Sequence, residues 1–342
     1  MENKNKFPVA RVIVEYRGAY KVKNKNGEYL ARVTGKKMFS AQGREDYPAV
    51  GDWVTITELD KEHAVIHDIL PRKTIIKRKS INKSEVQIIA TNIDVAFIVE
   101  SIGRDYNLNR FERYFAIARD GGVKPVIVLN KIDLISKEEL DIKKAELKNR
   151  FNDTDIILAS NVIEGGIDEL RAYILSDKTY CFLGSSGVGK SSLINKLLGE
   201  DIIKTEDISA STARGKHVTT NREMYFLPAR SAGGENGGIV IDNPGMRQVG
   251  MTDTNAGIDN LFDEIAVLAE NCKYIDCTHT HEPGCKVLVA LKSGEIDEGK
   301  YSNYISLKKE TEHYKMSELE KRESDRKFGK FIKVAKKQTK KY

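Results

Sequence analysis

Four cysteines in 342 residues are too few for a disulfide framework, and three of them fall between positions 272 and 285 with a histidine among them. Such spacing points to metal ligation in a reducing compartment. No apolar run approaches the roughly 18 residues of a membrane span. The first residues, Met1-Glu2-Asn3-Lys4-Asn5-Lys6, are polar and lack the apolar stretch of a signal peptide. These absences predict a cytosolic, cytoplasmic protein with no membrane partner. Hydrophobic and charged contents of 40% and 31% fit a globular chain, whose length allows two or three domains.

Acid is scarce at both ends. Residues 1–44 hold 11 Lys and Arg against 3 acids, and residues 326–342 hold 8 basic residues and no acid, although the whole chain is only +6. The centre is therefore acidic. Two readings stand: solvated charged termini, or two ends that touch a phosphate backbone.

Residues 9–70 read as about five short strands, among them Val12-Ile13-Val14, Tyr29 to Val33 and Trp53 to Ile56, with a hairpin signal at Asn26-Gly27 and a turn at Gly51-Asp52. A small barrel is expected, the oligonucleotide-binding type being one candidate. Trp53, the single tryptophan, is read as a core aromatic, with a base-stacking platform as the alternative. Residues 72–83 carry Arg72, Lys73, Lys77, Arg78, Lys79 and Lys83 without an acid and read as a basic connector.

Beyond them apolar runs alternate with helical periodicity. Val95 to Val99, Pro125 to Leu129, Asp155 to Leu158, Tyr180 to Leu183 and Gly238 to Ile241 look like buried strands; Leu108 to Ala118 and Ile167 to Ile174 look like helices. An α/β fold with a parallel sheet and helices on both faces follows. After about residue 250 the strand pattern stops. A helix is expected over Ile258–Ala269 and another from about Ile305.

Gly184-Ser185-Ser186-Gly187-Val188-Gly189-Lys190-Ser191 lies between an apparent strand and an apparent helix, Ser192 following it. The glycines let backbone N–H groups wrap phosphates, Lys190 would reach the β- and γ-phosphates, and Ser191 would ligate Mg²⁺. Asp242-Asn243-Pro244-Gly245 closes a later strand. Asp242 there can hold Mg²⁺ through water, and Gly245 can offer its N–H to the γ-phosphate. Asn130-Lys131-Ile132-Asp133 closes an earlier strand, where the Asp133 carboxylate can accept from both donors on a guanine edge, and Ala159-Ser160 would flank the base. Adenine would leave that carboxylate unpaired, so GTP is favoured over ATP. The guanine-reading motif precedes the phosphate loop, the reverse of the ordinary order, which points to a circularly permuted GTPase.

Two features bear on rate. A glutamine that orients the attacking water often follows D-x-x-G, but Met246 stands there, so hydrolysis by the free protein should be slow. In Arg214-Gly215-Lys216-His217-Val218-Thr219-Thr220, where a switch should lie, His217 is the internal candidate for handling the water. Thr219 or Thr220 could cap Mg²⁺, and the choice between them is open.

The motif order, with a barrel before and Asn271-Cys272-Lys273-Tyr274-Ile275-Asp276-Cys277-Thr278-His279-Thr280-His281-Glu282-Pro283-Gly284-Cys285 after, resembles the ribosome small-subunit-dependent GTPase family RsgA, also called YjeQ or YloQ. The likeness covers nearly the whole chain. Val218 departs from it by interrupting the family's usual threonine run, and the Gly-rich stretch 231–238 looks inserted. The resemblance implies an oligonucleotide-binding barrel over 1–72, a permuted GTPase domain over 73–250 and a mostly helical zinc domain with a basic tail over 251–342. It also implies action in late assembly of the small ribosomal subunit, with contacts to its rRNA. Cys272, Cys277, His279 and Cys285 would close a tetrahedral shell around one structural Zn²⁺, His281 being the competing histidine. Cys181 reads as core. A monomer is expected. A second functional reading is an RNA-binding assembly checkpoint in which GTP is mainly a conformational ligand.

Overall fold

The computed structural model describes residues 7–41, 43–79, 86–103, 106–203, 222–229, 237–243 and 255–315. The chain divides into two compact units, Met1–Gly250 and Met251–Tyr342.

The first unit opens with β1 (Val9–Tyr16), β2 (Ala19–Asn24), β3 (Gly27–Val33), a short helix α1 (Gly35–Ser40), β4 (Trp53–Glu58) and β5 (His63–Ile69). Strand pairing runs β1-β2-β3-β5-β4 and closes from β4 back to β1, giving a five-stranded barrel. Alternate residues face inward, and Ala10, Val12, Val22, Val54, Ile56 and Ile66 fill the interior.

Trp53 does not join that core. Val54 and Ile56 point inward, so the pleat sends Trp53 outward, where it is 42% exposed with the Arg11 guanidinium 5.2 Å from its ring centre.

Residues 72–83 also differ from a plain connector. They include β6 (Ile75–Lys79), which pairs with β7 (Val86–Thr91) as a two-stranded antiparallel sheet with Ile76 buried.

The sheet that carries the motifs follows: β8 (Val95–Ser101), α2 (Leu108–Asp120), β9 (Lys124–Asn130), α3 (Lys137–Arg150), β10 (Ile156–Ala159), α4 (Asp168–Tyr173), β11 (Thr179–Leu183), α5 (Lys190–Leu198), β12 (Glu223–Phe226) and β13 (Ile239–Asp242). Local chemistry sets several boundaries. Asn107 caps α2 by accepting the Asn109 N–H, and Ser136 with Glu139 forms a capping box on α3. Spatial order is β10-β9-β8-β11-β13-β12, with β9, β10, β11 and β13 parallel to their neighbours and β12 antiparallel. Phe97, Phe182, Val126, Val128, Leu193 and Val240 are fully buried in one apolar cluster of this sheet and its helices. The chain steps outward from β8 to β10, then restarts at β11 on the other side of β8. A ligand crevice is expected where that order reverses, at the carboxyl ends of the strands.

Barrel and sheet are joined. Beyond β12 the sheet continues into β1 through the pair Val14↔Glu223. The buried Arg11 donates from Nη2 to the Asn92 carbonyl at 3.1 Å and to Thr179 Oγ1 at 2.9 Å. The fully buried Asp52 takes both Arg72 Nε and Nη2 at 2.8 Å and the Thr91 hydroxyl at 2.7 Å. A buried carboxylate needs such partners, because removing one leaves an uncompensated charge at a cost of about 3–5 kcal/mol.

The second unit contains α6 (Asn255–Leu261), α7 (Asp263–Glu270), α8 (Lys286–Ser293) and α9 (Glu298–Lys315). The single helix expected over 258–269 is two, broken at Phe262, whose φ of −110° and ψ of 44° leave the helical region. Asp263 and Glu264 then favour a fresh helix N-terminus. The last helix begins at Glu298, ahead of the expected Ile305. Ile258, Phe262, Ile265, Val287, Tyr304 and Leu307 form the buried apolar set, with Phe262 edge-on to Tyr304. Among the described residues no helix is long and apolar enough to cross a membrane.

Candidate nucleotide and metal sites

Residues 184–189 connect β11 to α5 in conformations that glycine allows. Gly184, Gly187 and Gly189 all have positive φ, and a Cβ on Gly184 would lie 2.2 Å from the Val99 carbonyl oxygen. Lys190, largely buried, donates from Nζ to the carbonyls of Gly184 at 2.8 Å and Ser185 at 2.7 Å. Burial lowers its pKa to about 8, against the opposing charges of Asp242 and Glu100. A triphosphate in this loop would restore the charged form.

The earlier motif meets this loop directly. Asn130 ends β9, two strands from β11, and its Nδ2 donates to the Val188 carbonyl at 2.8 Å. Lys131 adopts a left-handed conformation, φ 61°, and its Nζ donates to the Gly187 carbonyl at 2.9 Å. Sequence-distant segments thus close into one crevice in spite of the permuted order. Asp133 is exposed, but one carboxylate oxygen takes the Ser160 hydroxyl, whose oxygen accepts the Val162 and Ile163 N–H groups. Ser160 therefore fixes Asp133. Ala159 is fully buried at the end of β10, directly before it.

On the other flank, Asp242 ends β13 and is 5% exposed. Its carboxylate faces the Ser191 side chain, and among the described residues its buried Oδ1 has no hydrogen-bond partner. Burial raises its pKa, against the opposing charge of Lys190. A hydroxyl beside an orphaned buried carboxylate oxygen fits a hard divalent cation such as Mg²⁺. Ser186 is exposed and Ser192 half-buried at the start of α5.

The structure adds residues that the sequence does not single out. Tyr114, on the buried face of α2, bonds the Ser185 side chain. Glu100, fully buried at the end of β8, pairs with Arg110 at 3.4 Å. Both look like ordinary members of a strand and an apolar helix stripe, and no motif marks them. Cys181 is fully buried in β11, where burial pushes its thiol pKa up and Asn243 Nδ2 lies 2.8 Å from its sulfur. His217, Thr219, Thr220, Gly245 and Met246 lie outside the described residues, as do residues 231–236 of the Gly-rich stretch and the basic tail.

The second unit gathers Cys272, Cys277, His279 and Cys285, with ligand atoms all within 4.8 Å of one another. His279 Nδ1 is 3.6 Å from Cys272 Sγ and 3.5 Å from Cys285 Sγ, and the two sulfurs are 3.8 Å apart. A tetrahedral zinc with Zn–S of about 2.3 Å and Zn–N of about 2.0 Å has S···S edges of about 3.8 Å and S···N edges of about 3.5 Å. The donor set and spacing fit the ion. His279 reaches inward from a left-handed backbone, φ 59°, and its carbonyl accepts the Tyr301 hydroxyl at 2.7 Å. Burial lowers its pKa, which favours the neutral imidazole that a metal requires. Lys286 and Leu288, at the start of α8, donate N–H to Cys272 and Cys285, each at 3.4 Å. His281 is not in the cluster; it bonds Thr280, and the neighbouring Glu282 carboxylate accepts the Thr278, Thr280 and His281 N–H groups.

Comparison with known proteins agrees with this architecture. Residues 69–252 match the family model described as RsgA GTPase. Over 325 residues the chain is 40% identical to a Lactiplantibacillus plantarum protein named small ribosomal subunit biogenesis GTPase RsgA 2, covering 94% of this chain and 89% of that one. It is 37% identical to a Bacteroides thetaiotaomicron relative named small ribosomal subunit biogenesis GTPase RsgA 1, covering 96% and 90%. Among solved structures, YjeQ from Thermotoga maritima aligns with a TM-score of 0.65 at 24% identity, over 89% of this chain and 98% of that one. YloQ, described as a circularly permuted GTPase, aligns with a TM-score of 0.61 at 20% identity, over 93% and 99%. These two likenesses bear on the fold. A model match over more than half the chain, and relatives near 40% identity along almost all of it, make this chain a member of the RsgA GTPase family.

Proposed function

We propose that this protein binds GTP in the crevice between the Asn130–Asp133 motif and the Gly184–Ser191 loop, and hydrolyses it during late assembly of the small ribosomal subunit. The tie of Asn130 and Lys131 to Val188 and Gly187 carries the reading, because it sets a guanine-selective carboxylate beside a phosphate cradle. Asp133, with Ala159 and Ser160 flanking the base, selects guanine. The N–H groups of residues 184–191 and Lys190 hold the phosphates, and Ser191 with Asp242 would hold Mg²⁺, which supplies charge neutralisation at the β- and γ-oxygens.

Water attacks the γ-phosphate in line with the leaving oxygen. Met246 offers nothing to orient that water, so turnover by the free protein is slow and the small subunit stimulates it. His217 is the candidate to accept the water's proton, with Thr219 or Thr220 at the metal.

The cysteines 272, 277 and 285 with His279 hold one structural Zn²⁺ that staples the helical unit. On this reading the domains are an RNA-binding barrel over 1–72, the permuted GTPase over 73–250 and the zinc unit with its basic tail over 251–342. The protein acts as a cytoplasmic monomer on rRNA, through the barrel and the zinc unit. The names of its relatives and the basic ends support the partner.

The test is GTP turnover with and without purified small and large subunits. Stimulation at least tenfold by small subunits alone is expected; equal turnover in all three conditions would remove the assembly-enzyme reading and favour a checkpoint whose GTP is a conformational ligand.

A further inference from the structure

Asp242 is linked to the barrel through β12. The parallel ladder between β11 and β13 ends at the pair Cys181↔Ile241, one residue short of Asp242. Asp242 itself is paired on the other side, with Glu223 of β12. Glu223 in turn is paired with Val14 of β1. A single line of strand partners therefore runs from the barrel wall to the carboxylate beside Ser191, over two strand spacings of about 10 Å in all.

Side chains fasten both ends of β12 to the barrel. At its start, Arg222 donates from Nη1 to Glu15 Oε2 at 3.3 Å and to the Ile88 carbonyl of β7 at 2.8 Å, while the Arg222 carbonyl accepts the Glu15 N–H at 3.4 Å. At its end, Lys23 of β2 stands 4.4 Å above the Phe226 ring. The Arg222 side chain is only 14% exposed, so Glu15 is a counter-charge for a cation mostly out of water. A four-residue strand has few hydrogen bonds of its own with which to hold register.

We infer that the barrel, through the Glu15–Arg222 and Lys23–Phe226 contacts, positions β12 and thereby sets Asp242 for the metal that accompanies GTP. Glu15 and Arg222 are positioning residues; neither touches nucleotide. The inference rests on Asp242 as the Mg²⁺ anchor. It adds a consequence for the barrel: a load applied there, as by docking on RNA, reaches the metal side of the nucleotide site through β12.

Full-length protein with Glu15→Ala should need three- to tenfold more Mg²⁺ for half-maximal GTP turnover, while its GDP affinity in EDTA stays within twofold of the parent. Glu15→Gln, which keeps an acceptor for Arg222, should recover at least half of the shift, and Lys23→Ala should move Mg²⁺ demand the same way by a smaller factor. A Glu15→Ala protein with parental Mg²⁺ demand overturns the inference, as does one whose metal-free GDP affinity falls in step with it, because that is general loosening. Asp242→Asn separates the layers. If it leaves Mg²⁺ demand unchanged, the anchor assignment itself fails; if it raises the demand while Glu15→Ala does not, only the barrel's role is lost.

Discussion

The nucleotide site and the Cys/His cluster are built in opposite ways. The first collects Asn130, Ser160, the 184–191 loop and Asp242 from the ends of β9, β10, β11 and β13, and hydrogen bonds lock them to one another without help from a ligand. The second takes all four ligands from one stretch of chain, 272–285, and braces them with the start of α8 and the Tyr301 hydroxyl. A sheet can preorganise residues from distant parts of a sequence whatever their order along it, which is why permutation leaves the crevice whole. A short loop has less of such a frame, so a metal ion is expected to contribute more to its geometry.

Stripping the metal should expose this contrast most sharply. Structural zinc contributes on the order of 10 kcal/mol to folding, comparable to the whole stability of a typical domain at about 5–15 kcal/mol. Chelation, or Cys277→Ser, should abolish bound zinc and melt much of the helix over 255–315, seen as lost far-ultraviolet ellipticity. GDP affinity of the same sample, read with a fluorescent analogue, should stay within twofold. Loss of nucleotide binding together with the metal would show that the sites are not independently built.

The converse lesion is Asp133→Asn. Guanine would lose its acceptor for two N–H groups, and an amide would offer a donor in exchange. GTP affinity should fall by about a hundredfold, with xanthosine triphosphate, whose purine carries an oxygen at that edge, binding better than GTP. Zinc content should not change. A GTP affinity within threefold of the parent would mean that Asp133 does not read the base.

How far the sequence announces these two sites follows from how they are built. The Cys/His cluster is legible outright because its spacing is its structure, and His279 rather than His281 lies within it. The phosphate loop and Asn130–Asp133 are legible as fragments because each lies in one turn. Their union is legible only through the apolar strand runs around them. Tyr114 and Glu100 are hidden, since a tyrosine on an apolar helix stripe and an acid at a strand end occur in most α/β folds for reasons of packing and solubility alone. The joint between barrel and sheet is hidden for a different reason: β12 has four residues and its partner Val14 is near the other end of the unit, so no local period reveals the pair. Trp53 reads inward from the sequence because aromatics favour cores; the pleat, fixed by Val54 and Ile56, sends it out.

A pair of glycines sharpens the comparison on a smaller scale. A Cβ at Gly184 would meet the Val99 carbonyl at 2.2 Å, and that oxygen belongs to β8, which cannot yield without moving the sheet. A Cβ at Gly284, φ +80°, would meet the Lys273 Cβ at 3.0 Å, in a loop that can shift. Gly184→Ala should therefore weaken GDP binding by about tenfold or more, as expected where a buried contact is overpacked by about 1–3 kcal/mol. Gly284→Ala bears mainly the left-handed backbone cost of about 1–2 kcal/mol and should weaken zinc by no more than about thirtyfold. Competition assays with nucleotide and with a zinc chelator check the two; a larger effect at Gly284 reverses the argument.

The smallest expected effect distinguishes the sites by sign. Without nucleotide, burial holds Lys190 near a pKa of about 8, whereas phosphates around it would raise that value again. Between the two values the complex holds a proton that the free protein lacks, so binding takes one up. GTP affinity should be level below pH 8 and should fall above it by up to about tenfold per pH unit. Zinc moves the other way. Its thiol ligands must lose protons before they bind, so affinity climbs as pH rises over the same range. Titrations at about pH 7.5 and 9, on either side of that value, with Lys190→Ala to subtract the nucleotide's own ionisation, should give opposite slopes. A GTP affinity that stays level over this range would mean that Lys190 is already charged in the empty loop, and that the sheet preorganises the charge of this site as well as its shape.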